Sequence, residues 1–268
     1  ETDIGDYYYK TDGSNTVPFQ RITSANGPVA FGRDPRNGDV LIAQINNSQI
    51  GRLEYNSTPV GTPLPPTLAD TGAFSDLTTL TPNAGIVPYD LNVPFWSDNA
   101  IKSRWFSVPN TNLTLTFSAT GNWLSPTGSV WIKHFELELT NGVAASRKRL
   151  ETRFLVKNSN GVYGVTYRWT TPPTNALLVT EAGLDEVFTN YTGGGAILST
   201  QVWRYPSRSE CLACHTPQGG FSLGFNTAQL NRDFDYNGTT TNQIEALRLA
   251  GYFGNTISNR HLLPVASP

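Results

Sequence analysis

From Leu113 to Trp203 the chain alternates apolar and polar positions with the two-residue period of half-buried strands. Leu113, Leu115 and Phe117 alternate with threonines and Ser118. Trp131, Phe135, Leu137 and Leu139 alternate with Ile132, His134, Glu136 and Glu138. Further strands are predicted over 149–157 and 162–170, joined across Asn158-Ser159-Asn160-Gly161, whose Asn-Gly pair is a hairpin signal. Segments 176–180 and 196–204 bring the count to about six to eight. The pattern predicts a mainly β protein with an antiparallel β-sandwich core over 111–204.

Ahead of this core, 29–33, 39–44 and 50–55 read as three short strands separated by turn residues, the rhythm of one β-propeller blade. They define a blade-like N-terminal part, 1–57. Three strands do not close a propeller, and Tyr7, Tyr8 and Tyr9 precede them as an edge strand or a loose terminus. An uncovered edge is a template for pairing, so this part is expected to support a homo-oligomer or filament. Prolines crowd the next stretch, which predicts a linker and aromatic cap over 58–110, carrying Tyr89, Phe95, Trp96 and Trp105.

Helical signals are confined to 205–268. Ser207 and Glu210 form a capping-box pattern, with Pro217 and Gly219-Gly220 ending the turn. A second helix is expected from Thr240 or Asn242, where Ile244, Leu247 and Ala250 recur before Gly251.

Composition narrows the function classes. A formal net charge of -2 and 15% charged residues give no reason to expect nucleic acid. No apolar run approaches the ~18 residues of a transmembrane segment. Glu1 in place of Met reads as a processed start. Asn-x-Ser/Thr sequons occur at Asn46, Asn56, Asn112, Asn190 and Asn237, a number that arises readily by chance in a Thr- and Asn-rich chain.

The candidate chemistry lies at Cys211-Leu212-Ala213-Cys214-His215, which holds both cysteines and one of three histidines. Cys-x-x-Cys-His reads as covalent attachment of one haem c, the thiols adding to its vinyl groups and His215 serving as proximal iron ligand. A zinc site, a redox dithiol or a short disulfide would use the same pair, but a zinc site would have to recruit His134 or His261 from far away. The chain has no methionine, so the sixth ligand would be His134, favoured for its mid-strand position among apolar neighbours, or His261, or the position stays open. Arg204 and Arg208 flank the motif as partners for haem propionates. Phe221, Leu223 and Phe225 are expected as pocket walls. Haem c is attached outside the cytoplasm, so the protein is expected to be exported, periplasmic or extracellular.

Three runs carry a resemblance. They are Pro88-Tyr89-Asp90-Leu91-Asn92-Val93-Pro94-Phe95-Trp96-Ser97-Asp98-Asn99-Ala100-Ile101-Lys102-Ser103-Arg104-Trp105; Lys133-His134-Phe135 leading to Glu151-Thr152-Arg153; and Tyr205-Pro206-Ser207-Arg208 into the haem motif, with Leu223-Gly224-Phe225 after it. Over roughly 64–251 the chain resembles the cytochrome c-containing module of secreted bacterial proteins, often found behind a β-propeller like that of PQQ-dependent sugar dehydrogenases. It departs from that pattern in having no second Cys-x-x-Cys-His and no full propeller, as in a shortened relative or a piece of a longer chain. The resemblance implies a one-electron carrier that meets a redox partner protein, without the quinone site of the dehydrogenase. Two other functions fit the same residues: a haem-dependent oxidoreductase or peroxidase-like enzyme, and a self-assembling extracellular structural protein stapled by haem c.

Overall fold

The computed structural model describes residues 27–36, 38–52, 63–159 and 161–267. The expected Tyr7–Tyr9 edge, residues 53–57 and the turn residue Asn160 lie outside them. The chain divides into two compact units, 1–64 and 65–268.

In the first unit β1 (Pro28–Arg33), β2 (Val40–Gln44) and β3 (Gln49–Arg52) form an antiparallel meander. The β1–β2 turn is fixed by Asp34. Its buried carboxylate accepts from Arg36 Nε and Nη2 at 3.0 and 2.7 Å, and its carbonyl accepts from Gly38 N–H. The Arg36 guanidinium holds this carboxyl below its ordinary range.

The second unit opens with β4 (Phe74–Asp76), β5 (Thr81–Pro82), β6 (Val87–Tyr89) and β7 (Ile101–Ser107). These strands occupy the stretch expected as linker and cap. Proline there marks edges rather than irregular chain: Pro88 sits on β6, which ends a sheet and needs donors on one side only. The long strands follow as β8 (Val130–Glu138), β9 (Arg147–Asn158) and β10 (Gly161–Trp169), and β11 (Ala176–Leu178) closes the far edge. Together they make a six-stranded antiparallel sheet in the order β11-β10-β9-β8-β7-β6. β12 (Leu184–Tyr191) and β13 (Ile197–Tyr205) form a separate ribbon. Then come α1 (Arg208–Cys214), α2 (Thr227–Leu230), the hairpin β14 (Asp233–Tyr236) and β15 (Thr239–Asn242), and α3 (Gln243–Leu249). The fold is mainly β with antiparallel pairing, as expected. Among the described residues of the second unit, the other sheets are two-stranded pairs, with no second sheet of similar size.

Pleating gives the sheet two distinct faces. On one, Phe106, Trp131 and Leu155 pack against Phe225, Leu230, Ile244 and Leu247 of the C-terminal segment. Further along the same face, Phe135 and Leu137 pack against Phe188, Trp203 and Tyr205 of the ribbon. On the other face Trp105 meets Phe74 edge-on at 5.1 Å, and Phe154 meets Tyr167 at 5.5 Å. The expected strand at 113–118 is absent as a strand. Leu115 and Phe117 are buried as its alternation requires, but they pair only through isolated bridges, Leu115 with Phe253 and Thr116 with Leu124.

One buried carboxylate ties ribbon to sheet. Glu151 on β9 is fully buried and accepts from Arg153 Nε at 2.8 Å and from Trp203 Nε1 of β13 at 2.9 Å. Glu151→Ala leaves the buried Trp203 Nε1 without an acceptor, while the partly exposed Arg153 can turn to solvent, so unfolding free energy in urea is expected to fall by about 1–3 kcal/mol. A loss below ~1 kcal/mol would show that this carboxylate does not hold the ribbon.

Candidate functional site

The capping box foreseen at Ser207 is formed. Ser207 Oγ accepts from Glu210 N–H at 3.1 Å, and Glu210 Oε2 accepts from Ser207 N–H at 2.6 Å. A seven-residue helix has little stability alone, so the cap and its docking decide where it sits. It docks on β10, over Gly164. A Cβ built there would lie 2.6 Å from Cys211 Cβ and closer still to Sγ. Only glycine lets the helix approach this closely.

The helix ends at His215, whose N–H reaches the Cys211 carbonyl at 3.1 Å. The chain then folds back through Gly220 and Phe221, both with positive φ, 70° and 63°. This return brings the Phe221 carbonyl to 2.6 Å from His215 Nδ1. A carbonyl only accepts, so Nδ1 carries the proton and the lone pair of the neutral ring is on Nε2. Burial lowers the His215 pKa and favours that neutral form.

Cys211, Cys214 and His215 share one cavity of about 310 Å³, at the small end of the roughly 300–1,000 Å³ typical of ligand pockets. Both thiols are free, Cys211 half-buried and Cys214 exposed. Burial pushes the Cys211 thiol up to about 11. The opposite wall is the sheet, with Tyr89 and Trp131 as its aromatic part and Arg104, Lys133 and Arg153 as its charged part. Burial, reinforced by Arg104, Arg153 and Lys102, pushes the Lys133 ammonium down to about 7. Among the described residues no group of three or more His, Cys, Asp or Glu side chains is placed to hold a metal ion.

Most of the other residues singled out from the sequence lie elsewhere. Arg204 donates to Glu210 at 3.2 Å and to the Ala182 carbonyl at 2.7 Å, and Arg208 donates to Glu181 at 2.7 Å; neither lines the cavity. Phe225 stands behind the wall, in edge contact with Tyr89 and Trp131 at 5.3 and 5.8 Å. The Phe221 ring lies under Lys157 Nζ at 4.4 Å, and its role at the site is its carbonyl. Leu223 does line the cavity. His261 is exposed on a short 3-10 turn, Arg260–Leu262.

His134 is on the far face of the sheet. Strand alternation that turns Lys133 into the cavity turns His134 away from it, against Trp169 at 5.5 Å and Thr152 Oγ1 at 2.9 Å. The structure therefore does not bring His134 to the thiols and His215. The three cations lie within the runs quoted above for the resemblance, where no role at the site was read for them. Their signal was register: polar residues on three strands whose apolar neighbours build the core.

Comparisons with protein-family profiles, with characterised proteins and with solved structures give no match. The chemistry of the cavity alone carries the functional reading.

Two outcomes are expected. Gly164→Ala should lift α1 from the sheet at a cost of roughly 1–3 kcal/mol; an unchanged urea midpoint would place the helix elsewhere. For His134, burial lowers the pKa. The unfolded chain then takes up a proton that the folded chain refuses, so stability is intact above the ordinary value of 6.5 and declines as pH falls below it. His134→Leu should flatten this acid limb in urea midpoints measured from pH 5 to 8, and an equally steep limb in the variant would contradict it.

Proposed function

We propose that this chain is an exported monohaem c-type cytochrome that passes single electrons to a redox partner protein. In this reading the C-terminal quarter is its haem-binding segment, set on an antiparallel β core of the kind expected for the cytochrome c-containing modules described above. The observation that carries it is the arrangement of donors. Two free thiols and an imidazole whose Nδ1–H is spent on Phe221 open into one cavity, so Nε2 is available to a metal. Those residues fit a covalently held haem. Cys211 and Cys214 would form the thioethers and His215 would ligate the iron. Bound haem would supply a one-electron couple. A zinc site fits less well, because the cavity offers two thiols and one imidazole with no fourth residue of the usual kinds except Glu210, which caps α1.

A second reading rests on the same lining. Among the described residues His215 is the only imidazole of the lining, so a haem bound there could keep a position open to an external molecule, which is what a haem-dependent oxidoreductase needs. The structural-protein reading draws on the meander of the first unit, where Phe31 and Ile50 are 63% and 74% exposed.

The test is expression in a host that attaches haem c, followed by intact mass and a pyridine-haemochrome spectrum. One haem per chain, lost in Cys211→Ser/Cys214→Ser, is the expected result; a mass equal to the bare polypeptide would reject the reading. A low-spin spectrum indifferent to cyanide would favour the carrier, and a high-spin, cyanide-binding one the enzyme.

A further inference from the structure

The sheet wall of the cavity has an unusual charge pattern. Arg104 on β7 is directly paired with Lys133 on β8, and Lys133 with Arg153 on β9. Directly paired residues in an antiparallel sheet share a face, so three cations stand in a row across three neighbouring strands. Like charges directly opposite one another are destabilising, and this row is partly buried. Within the protein it is only partly compensated. Arg153 is matched by Glu151, while Arg104 donates through Nη1 to Asp90 at 3.1 Å. Asp90 is itself shared with Arg232 at 3.0 Å, and its backbone is gripped on both sides by the buried amide of Gln243. Lys133 has a ring contact with Phe135 at 5.0 Å and, among the described residues, no ion pair.

Two donors at this wall are also orphaned. Arg104 is 5% exposed and Trp131 6%, yet Arg104 Nη2 and Trp131 Nε1 have no hydrogen-bond partner among the described residues. A buried donor left unsatisfied costs about 1–3 kcal/mol, and here two such donors line the same cavity. Cations in a row, together with unspent N–H groups, define a receptor for an acceptor-only, negatively charged group. Glu210 is the one carboxylate in the lining, and its oxygens are taken by Ser207 N–H and Arg204.

We infer that Arg104, with Lys133 beside it and Trp131 Nε1 as a neutral donor, is the carboxylate clamp of the cavity and takes the propionates of the bound haem. This rests on the haem reading and assigns to the sheet a role that the sequence had placed on Arg204 and Arg208. The clamp is a positioning device: it touches the edge of the group that His215 faces and fixes its rotation in the cavity.

The experiment uses the haem-bearing chain and its variants Arg104→Gln, Arg104→Lys, Lys133→Gln and Arg208→Gln, read by resonance Raman in the propionate-bending region and by midpoint potential. Arg104→Gln and Lys133→Gln are expected to shift the propionate band and lower the potential, since each removes a cation that offsets propionate charge. Arg104→Lys should restore the potential more fully than the band, because charge returns without the fork. Arg208→Gln should leave both unchanged. Acetate added in excess to the wild type should leave the band in place. A band that none of the Arg104 and Lys133 variants moves, in a protein that carries haem, overturns the clamp alone. A saturable acetate shift in the wild type would show the donors free and also overturns it. A wild-type chain without covalent haem overturns the haem reading and the clamp together. Should Arg104→Gln fail to fold, Lys133→Gln gives the same readings at a less buried position.

Discussion

A carboxylate with no access to water governs much of this molecule. The oxygens of Glu151 are satisfied by Arg153, from β9 itself, and by Trp203, from β13. Trp203 belongs to the β12–β13 ribbon, so the ribbon is held against the sheet by a directional bond as well as by Phe135 and Phe188. Arg153 lies two residues further along β9, on the same pleat face, and its guanidinium also stacks 4.5 Å from the Phe135 ring. Held from two sides, it forms one end of the cationic row at the cavity. The electrostatics of the site therefore begin with a residue outside its lining.

The central strands were legible because β8, β9 and β10 are runs rich in β-branched and aromatic residues, although burial on both faces of the sheet blurs their two-residue period. The cap at Ser207 and the Asn242 start of α3 were legible for a similar reason, a local hydrogen bond that any neighbouring sequence would permit. What failed to show was long-range pairing. β6 and β7 were masked by flanking prolines, and their membership of the sheet depends on β8, more than twenty residues away. β12 was missed because Leu184–Tyr191 mixes exposed Val187 with buried Phe188 and owes its strand to β13.

At the site, the motif itself was readable and its surroundings were not. His134 and Lys133 are neighbours in sequence, and a reading by residue type favours the histidine. A single step of pleat parity reverses the choice, carrying the imidazole to Trp169 and the lysine into the lining of the cavity. Arg204 and Arg208 mislead in the complementary way. They adjoin the motif in sequence, yet each has acidic partners of its own, Glu210 and Glu181, whereas Arg104 is a hundred residues from the motif and shares its cavity.

The return loop after α1 has Phe221 in the left-handed region, a conformation that costs a bulky residue on the order of 1–3 kcal/mol. The loop holds it there through the Phe221 N–H bond to Thr216 and the Lys157 contact over the ring. That conformation aims the carbonyl back at His215, and a relaxed backbone would swing it aside. The imidazole is thus denied a pivot about its own ring axis by a strained neighbour. If the proposed haem iron is held at Nε2, it would meet a ring whose orientation the protein has set before the metal arrives.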